Sequence, residues 1–224
     1  MTDRRRYTGT KTLQTAWTVA ILVLAVGLWV GDARTPLVTV AGAGGAWVVG
    51  LVVLGFRDRR HWQRLTAAST FDPGLEAHTS DLQTIIRGQS VSVSTDVPGL
   101  FSQAHLVVRA NVEGVEASFT TRIEDAESTK RAGVTTGDET LDERFVFRGK
   151  EGNVAAILTD EVRAALLAVE TAGVFTVTGE SVTYDVPFTQ VTADELDAAA
   201  DAAATIAARL ETVGREQAAT ANSE

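Results

Sequence analysis

Two aspartates four positions apart, Asp138 and Asp142, are the residues in this 224-residue chain best placed to do chemistry. Paired carboxylates can act as general acid and base in hydrolysis, or share a divalent cation. They belong to a polar cluster with Glu139, Glu143 and Arg144. A plainer role competes with this one. Asp138 would hydrogen-bond the backbone of its own loop, while Asp142 and Arg144 face solvent along a strand. Histidine occurs only at His61, His78 and His105, and cysteine is absent. Glu76 and His78 alone are too few for zinc, which takes at least three protein ligands. Without cysteine there is no disulfide, thiolate metal site or thiol nucleophile. The patterns H-E-x-x-H, G-x-S-x-G and G-x-x-x-x-G-K-[ST] are also missing, so their mechanisms have no foothold. The glycine-rich Ala41-Gly42-Ala43-Gly44-Gly45 matches a phosphate loop in composition only, because it lies inside an apolar run. No catalytic residue, metal or cofactor is assigned, and the chain reads as a non-enzyme.

The elements that would position Asp138 and Asp142 begin after the turn signal Phe71-Asp72-Pro73-Gly74. Ser90–Val97 and Ala104–Val112 alternate apolar and polar residues as half-buried strands do. Glu113-Gly114 reads as a two-residue hairpin link into a strand over Val115–Ile123. Residues 128–137 form a polar loop, and Leu141–Phe147 is a further strand. Asn153–Leu158 and Asp160–Thr171 have helical spacing, with Thr159 as the N-cap of the second and Gly173 as its stop. Val174–Thr178 and Val182–Val186 form a hairpin around Gly179-Glu180-Ser181. Thr192-Ala193-Asp194-Glu195 is a capping box that opens a helix to about Val213. Leu196, Ala199, Ala200, Ala203, Ile206, Ala207 and Leu210 form its apolar stripe. Leu141, Phe145, Phe147, Leu166 and Leu167 are core candidates. The fold class is α+β, with helices on one face of a largely antiparallel sheet.

The rest of the chain is built differently. Residues 1–64 carry nine basic and three acidic side chains, a net +6, while residues 65–224 carry eleven and 26, a net −15. The overall charge of −9 argues against a nucleic-acid partner. Two uncharged stretches, about 13–31 and 36–56, are each long enough to span a bilayer as a helix of about 20 residues. The turn between them makes a transmembrane hairpin. Arg4, Arg5, Arg6 and Lys11 precede the first span, and Arg57, Arg59, Arg60 and Arg64 follow the second, against Arg34 alone between them. Basic flanks stay cytoplasmic, so both termini are expected there, in a multi-pass protein of the cell membrane. Arg4-Arg5-Arg6-Tyr7 loosely echoes a twin-arginine export signal, but the arginines after the second span oppose export. Gly27 and Gly31, and Gly42, Ala46 and Gly50, recur every four residues, a spacing that lets helices pack closely. The spans contain no ionisable residue, which argues against a transporter.

Within the second half, Thr136-Gly137-Asp138, Leu141-Asp142, Phe145 and Leu158-Thr159-Asp160-Glu161-Val162-Arg163 stand out. This run resembles the signature of a family of membrane-anchored prokaryotic proteins, of haloarchaeal type, with two N-terminal transmembrane helices and a cytosolic α+β domain. The resemblance covers about residues 134–212. It implies the anchored architecture and the α+β domain, but no reaction and no catalytic residue. Three lysines against 17 arginines, in so acidic a chain, also resemble proteins of extreme halophiles. A high-GC organism replaces lysine by arginine as well.

The expected organisation is a transmembrane hairpin with basic flanks over 1–64 and a juxtamembrane linker over 65–88. A cytosolic α+β domain follows over 89–213, with a flexible tail over 214–224. The expected function is a membrane-anchored, non-catalytic binding or scaffolding module. Its partners would be the lipid bilayer and either another membrane protein or further copies of itself. The alternative is a small-molecule sensor or hydrolase-like enzyme with a pocket rimmed by Asp138 and Asp142.

Overall fold

A computed structural model of the chain describes residues 60–65, 67–69, 71, 81–96, 104–115, 119–126, 133–188 and 191–221. The chain divides into two compact units, residues 1–64 with 97–103 and residues 65–96 with 104–224. Of the first, residues 60–64 are described, and they are helical. The two expected membrane spans lie outside the described residues. Among the described residues no helix is long and apolar enough to cross a membrane.

The second unit is an α+β domain. Its strands are β1 (Asp81–Ile86), β2 (Gln89–Asp96), β3 (His105–Asn111), β4 (Thr120–Asp125), β5 (Phe145–Gly149), β6 (Val174–Thr178) and β7 (Ser181–Pro187). Its helices are α1 (Glu139–Arg144), α2 (Glu151–Ile157), α3 (Asp160–Ala168) and α4 (Ala193–Ala221). The strands form one seven-stranded sheet in the order β1-β2-β3-β7-β6-β4-β5. Every strand pair is antiparallel.

Register explains where the core lies. Leu82, Val93, Val108, Tyr184, Phe175, Ile123 and Phe147 stand opposite one another across all seven strands. All seven are buried. One step along the pleat, Gln83, Ser92, Arg109, Thr183, Thr176, Arg122 and Arg148 form the matching row on the other face, and none of them is buried. Alternation with period two therefore specifies one covered and one open face, and a slip of one residue would invert both. Helix α4 lies over β1, β2, β3 and β7, while α2 covers β4 and β5 and α3 packs on α4. The expected stripe, from Leu196 to Leu210, is buried throughout.

Several elements differ from the sequence reading, each for a local reason. Strand β1 falls inside the segment expected to be a linker; it pairs with β2 through the two-residue turn Arg87-Gly88, both at positive φ (52° and 81°). Glu113-Gly114 does not link neighbouring strands, because the β6–β7 hairpin lies between β3 and β4. The strand expected over Leu141–Phe147 starts only at Phe145. Asp138 caps a short helix over the preceding residues, its carboxylate accepting from the Leu141 N–H at 3.2 Å. Helix α3 stops at Ala168 with an extended cap at Val169, before Gly173. Gly173 serves another purpose, since a Cβ there would run into the Tyr184 ring. Thr159 and Thr192 cap α3 and α4 as expected, accepting from the N–H groups of Val162 and Glu195 at 3.3 Å each. Residues 214–221 of the expected tail form the last two turns of α4.

Two predictions follow from this packing. In α4, Gly214 lies against the Gly114 turn, and a Cβ would collide with the Gly114 carbonyl oxygen. Glycine to alanine in a helix ordinarily gains about 0.5–1 kcal/mol, whereas overpacking costs roughly 1–3 kcal/mol. Gly214→Ala should therefore lower stability to urea; a gain would show that α4 does not rest on that turn. Tyr184 is buried, donates to the Thr171 carbonyl at 2.8 Å, and stacks 4.5 Å from Phe175. Burial, followed by the charges of Glu195 and Asp125, holds its phenol far above the ordinary value. Above a pH of about 10 the unfolded chain loses this proton and the folded chain keeps it. Stability should then fall with rising pH, with a shallower slope in Tyr184→Phe when melting is followed across that range.

Candidate functional site

Two polar clusters flank α3. The first is the loop that carries Asp138 and Asp142. Asp142 points back into the loop: the Thr136 N–H donates to its carboxylate at 2.9 and 3.1 Å, the Thr136 hydroxyl at 2.8 Å and the Gly137 N–H at 3.3 Å. The Thr136 hydroxyl accepts in turn from the Asp138 N–H at 3.2 Å. Gly137, at φ 81°, makes the reversal possible. The second Asp138 oxygen faces the Arg163 guanidinium at 3.5 Å. The two aspartates are thus occupied by backbone donors and a cation, and do not share an open site. Asp142 does not face solvent along a strand, because it sits on α1 and closes the loop. Nor does Arg144, whose guanidinium donates to the Leu167 carbonyl at 2.9 Å and to the Val169 carbonyl. It also lies 5.3 Å over the Phe145 ring. A cation on the last carbonyls of α3 is favourable at a helix C-terminus.

The second cluster surrounds Arg87, which the sequence reading did not single out. From the β1–β2 turn its guanidinium reaches Asp201 on α4 at 2.6 and 3.1 Å, and also pairs with Glu161 on α3. Its signal in the sequence was faint. An Arg-Gly dipeptide separates two alternating runs, and Asp201 is the lone charge within an alanine-rich stretch. Beside it lies a cleft of about 500 Å³, lined by Arg87, Glu161, Arg209, Thr159, Thr205 and Thr212, among others. Its threonines and arginines already have partners. Thr205 donates to the Asp201 carbonyl at 2.7 Å, Thr212 to the Ala208 carbonyl at 3.1 Å, and Arg209 to the Ala156 carbonyl at 2.9 Å.

Arg60 and Arg64 are exposed on the helical stretch before the domain. Arg4, Arg5, Arg6, Lys11, Arg57, Arg59, Gly27, Gly31, Gly42, Ala46, Gly50, Glu76 and His78 lie outside the described residues. His105 pairs with Asp185 across β3 and β7 at 2.5 Å. Among the described residues, no group of three or more histidines and carboxylates is arranged to hold a metal ion. Leu141, Phe145, Phe147 and Leu166 are buried as expected, and Leu167 is half-buried.

Fold and clusters together define the class: an α+β domain with a seven-stranded antiparallel sheet and a long C-terminal helix. No family model matches the chain, and no curated protein matches it in sequence. Among solved structures it is similar to the crystal structure of the mycobacterial trehalose monomycolate transport factor A, TtfA. The likeness has 10% identity and a TM-score of 0.45, covering 67% of this chain and 94% of that one. It is too distant to carry any property across.

The loop geometry makes a prediction. Asp142→Ala strands the Thr136 and Gly137 N–H groups and should cost about 1–3 kcal/mol in urea unfolding. Asp142→Asn, which keeps one acceptor oxygen, should cost less. Equal stability of all three proteins would show that the carboxylate does not hold the loop.

Proposed function

We propose that this chain is an integral membrane protein whose α+β domain works as a non-catalytic binding or scaffolding module on the cytosolic side. The spans of about 13–31 and 36–56 would anchor it, with the basic residues at their outer ends keeping both termini in the cytoplasm. Anchoring raises the local concentration of a domain near partners in the same membrane. The observation that carries the non-catalytic part is the filled contact between helix and sheet. Among the described residues the apolar row of the sheet and the stripe of α4 are both buried, so that the contact between them is filled. Asp138 and Asp142 are committed to their own loop. On this reading recognition falls to the outer surface.

The second reading is a small-molecule sensor or hydrolase-like enzyme. It is favoured by one feature, the cleft beside Arg87. Its threonines and arginines are already engaged within the domain, whereas ligand pockets ordinarily present convergent polar groups to the ligand.

Crosslinking in native membranes, followed by identification of the products, tests the scaffold reading together with its topology. The domain should resist protease added to intact cells, be cut once the cells are opened, and crosslink to a defined membrane protein. Cleavage from outside would overturn the topology. Crosslinks to copies of itself alone would overturn the separate partner and leave a homo-oligomer.

A further inference from the structure

The two edges of the sheet are finished differently. Beyond β5, the Val134 N–H donates to the Phe147 carbonyl at 2.8 Å, and Gly133 lies tight against Val146 and Phe147. Beyond β1, no described residue pairs with the strand. An edge strand offers a row of unpaired N–H and C=O groups, and is ordinarily guarded by charge, proline or a bulge. From Leu82 to Ile86, β1 reads Leu-Gln-Thr-Ile-Ile and has no such guard, and its pairing with β2 runs unbroken. It also carries Ile85, which at 77% exposure is the one exposed large hydrophobic side chain among the described residues.

We propose that β1 pairs antiparallel with β1 of a second copy of this chain, about a two-fold axis at Thr84, joining two seven-stranded sheets edge to edge. This inference needs only the described domain and holds whether or not the chain is anchored in a membrane. Register leads to it. Ile86 and Gln89 close a two-residue turn, so they form a hydrogen-bonded pair. The alternation of an antiparallel ladder then points the N–H and C=O groups of Gln83 and Ile85 outward. Residues directly opposite share a face, so the two-fold axis must fall at a residue and not between two. At Thr84 it uses the whole uncharged segment. Gln83 of one copy exchanges hydrogen bonds with Ile85 of the other, and Leu82 stands opposite Ile86. The two Ile85 side chains become diagonal neighbours on the open face, within reach of each other.

A second copy fits better than an unrelated strand because this segment is its own complement. No charge meets a like charge between Leu82 and Ile86, and apolar residues meet on both faces. Arg87, at the end of the strand, is held by Asp201 and Glu161 of its own copy. A single strand pair buries less than the roughly 1,200 Å² of a stable interface. The dimer is therefore weak and concentration-dependent.

The native chain has no cysteine, so one introduced at the axis reports directly. Thr84→Cys would face itself as a non-hydrogen-bonded pair, the closest kind in a ladder. Under mild oxidation the full-length chain in detergent micelles should give a covalent dimer, and Thr120→Cys on β4 should not. Adding Ile85→Lys to Thr84→Cys places like charges across the axis and should lower the yield about ten-fold, with circular dichroism unchanged. In case Thr84→Cys fails to fold, sedimentation velocity compares the native chain with Ile85→Lys, which should dissociate at about ten-fold higher concentration. Equal crosslinking of Thr84→Cys and Thr120→Cys would overturn the proposal. So would a dimer indifferent to Ile85→Lys, or a native chain that stays monomeric at every concentration reached.

Discussion

Where α4 meets the sheet, its side chains are mostly alanine. Ala199, Ala200, Ala203 and Ala207 are buried beside Leu196, Ile206 and Leu210, against strands that supply the bulk: Val91, Val93, Leu106, Val108, Tyr184 and Val186. Small residues on one side and large ones on the other let the helix lie close to the pleat without voids. Alanine is also the best helix former and loses no rotamer freedom on burial. Ala202 and Ala204, off that stripe, are buried too, and α3 packs onto α4. The middle of α4 is therefore enclosed from more than one direction. Lengthening any of these side chains would overpack the contact, at roughly 1–3 kcal/mol. The positions of α3, its capped N-terminus and the Arg87 cleft all follow from how closely α4 sits.

That dependence also explains what could be read from the residues alone. The stripe of α4, the β6–β7 hairpin and the Thr159 and Thr192 caps were legible, because each depends on residues within a few positions of one another. Strand order was not. Nothing in Glu113-Gly114 reveals that two strands from 60 residues later separate β3 from β4, since that choice is made by packing at long range. Helix α1 was missed because Leu141, Phe145 and Phe147 suit either period, and an aspartate cap decided between them. The end of α4 was missed because Gly214 reads as a stop, whereas here it is the close approach to Gly114 that calls for glycine.

The chemistry divides in the same way. Asp138 and Asp142 were conspicuous by type and spacing, yet most of their partners are backbone N–H groups that the sequence cannot display. Arg87 was inconspicuous because its partners lie 74 and 114 positions away. A left-handed conformation at a non-glycine residue is tolerated where surrounding contacts hold it. Here Asp201 and Glu161 do so, tying the edge hairpin to two helices. These pairs are about half exposed, so each contributes only about 0–1 kcal/mol. They orient the hairpin more than they stabilise it.

Glu124 is a different case. It is 8% exposed on the open face of β4, and its two oxygens meet Arg122 at 2.7 Å and Arg148 at 2.8 Å. A carboxylate withdrawn from water to that degree is tolerable only while its lone pairs are engaged, so losing either arginine would cost more than the surface pairs do. The same three residues explain how an open sheet face can be polar without being loose. Guanidinium stems cover the pleat while their heads bind a carboxylate between them. Beyond this triad the charge is lopsided, with 26 carboxylates after residue 64 against eleven basic residues. The mutual repulsion of the carboxylates opposes folding and weakens as salt shortens the Debye length. The half-exposed attractions around Arg87 weaken with it, but each is small. With its stability resting on apolar burial, the domain therefore loses more repulsion than attraction as ionic strength rises.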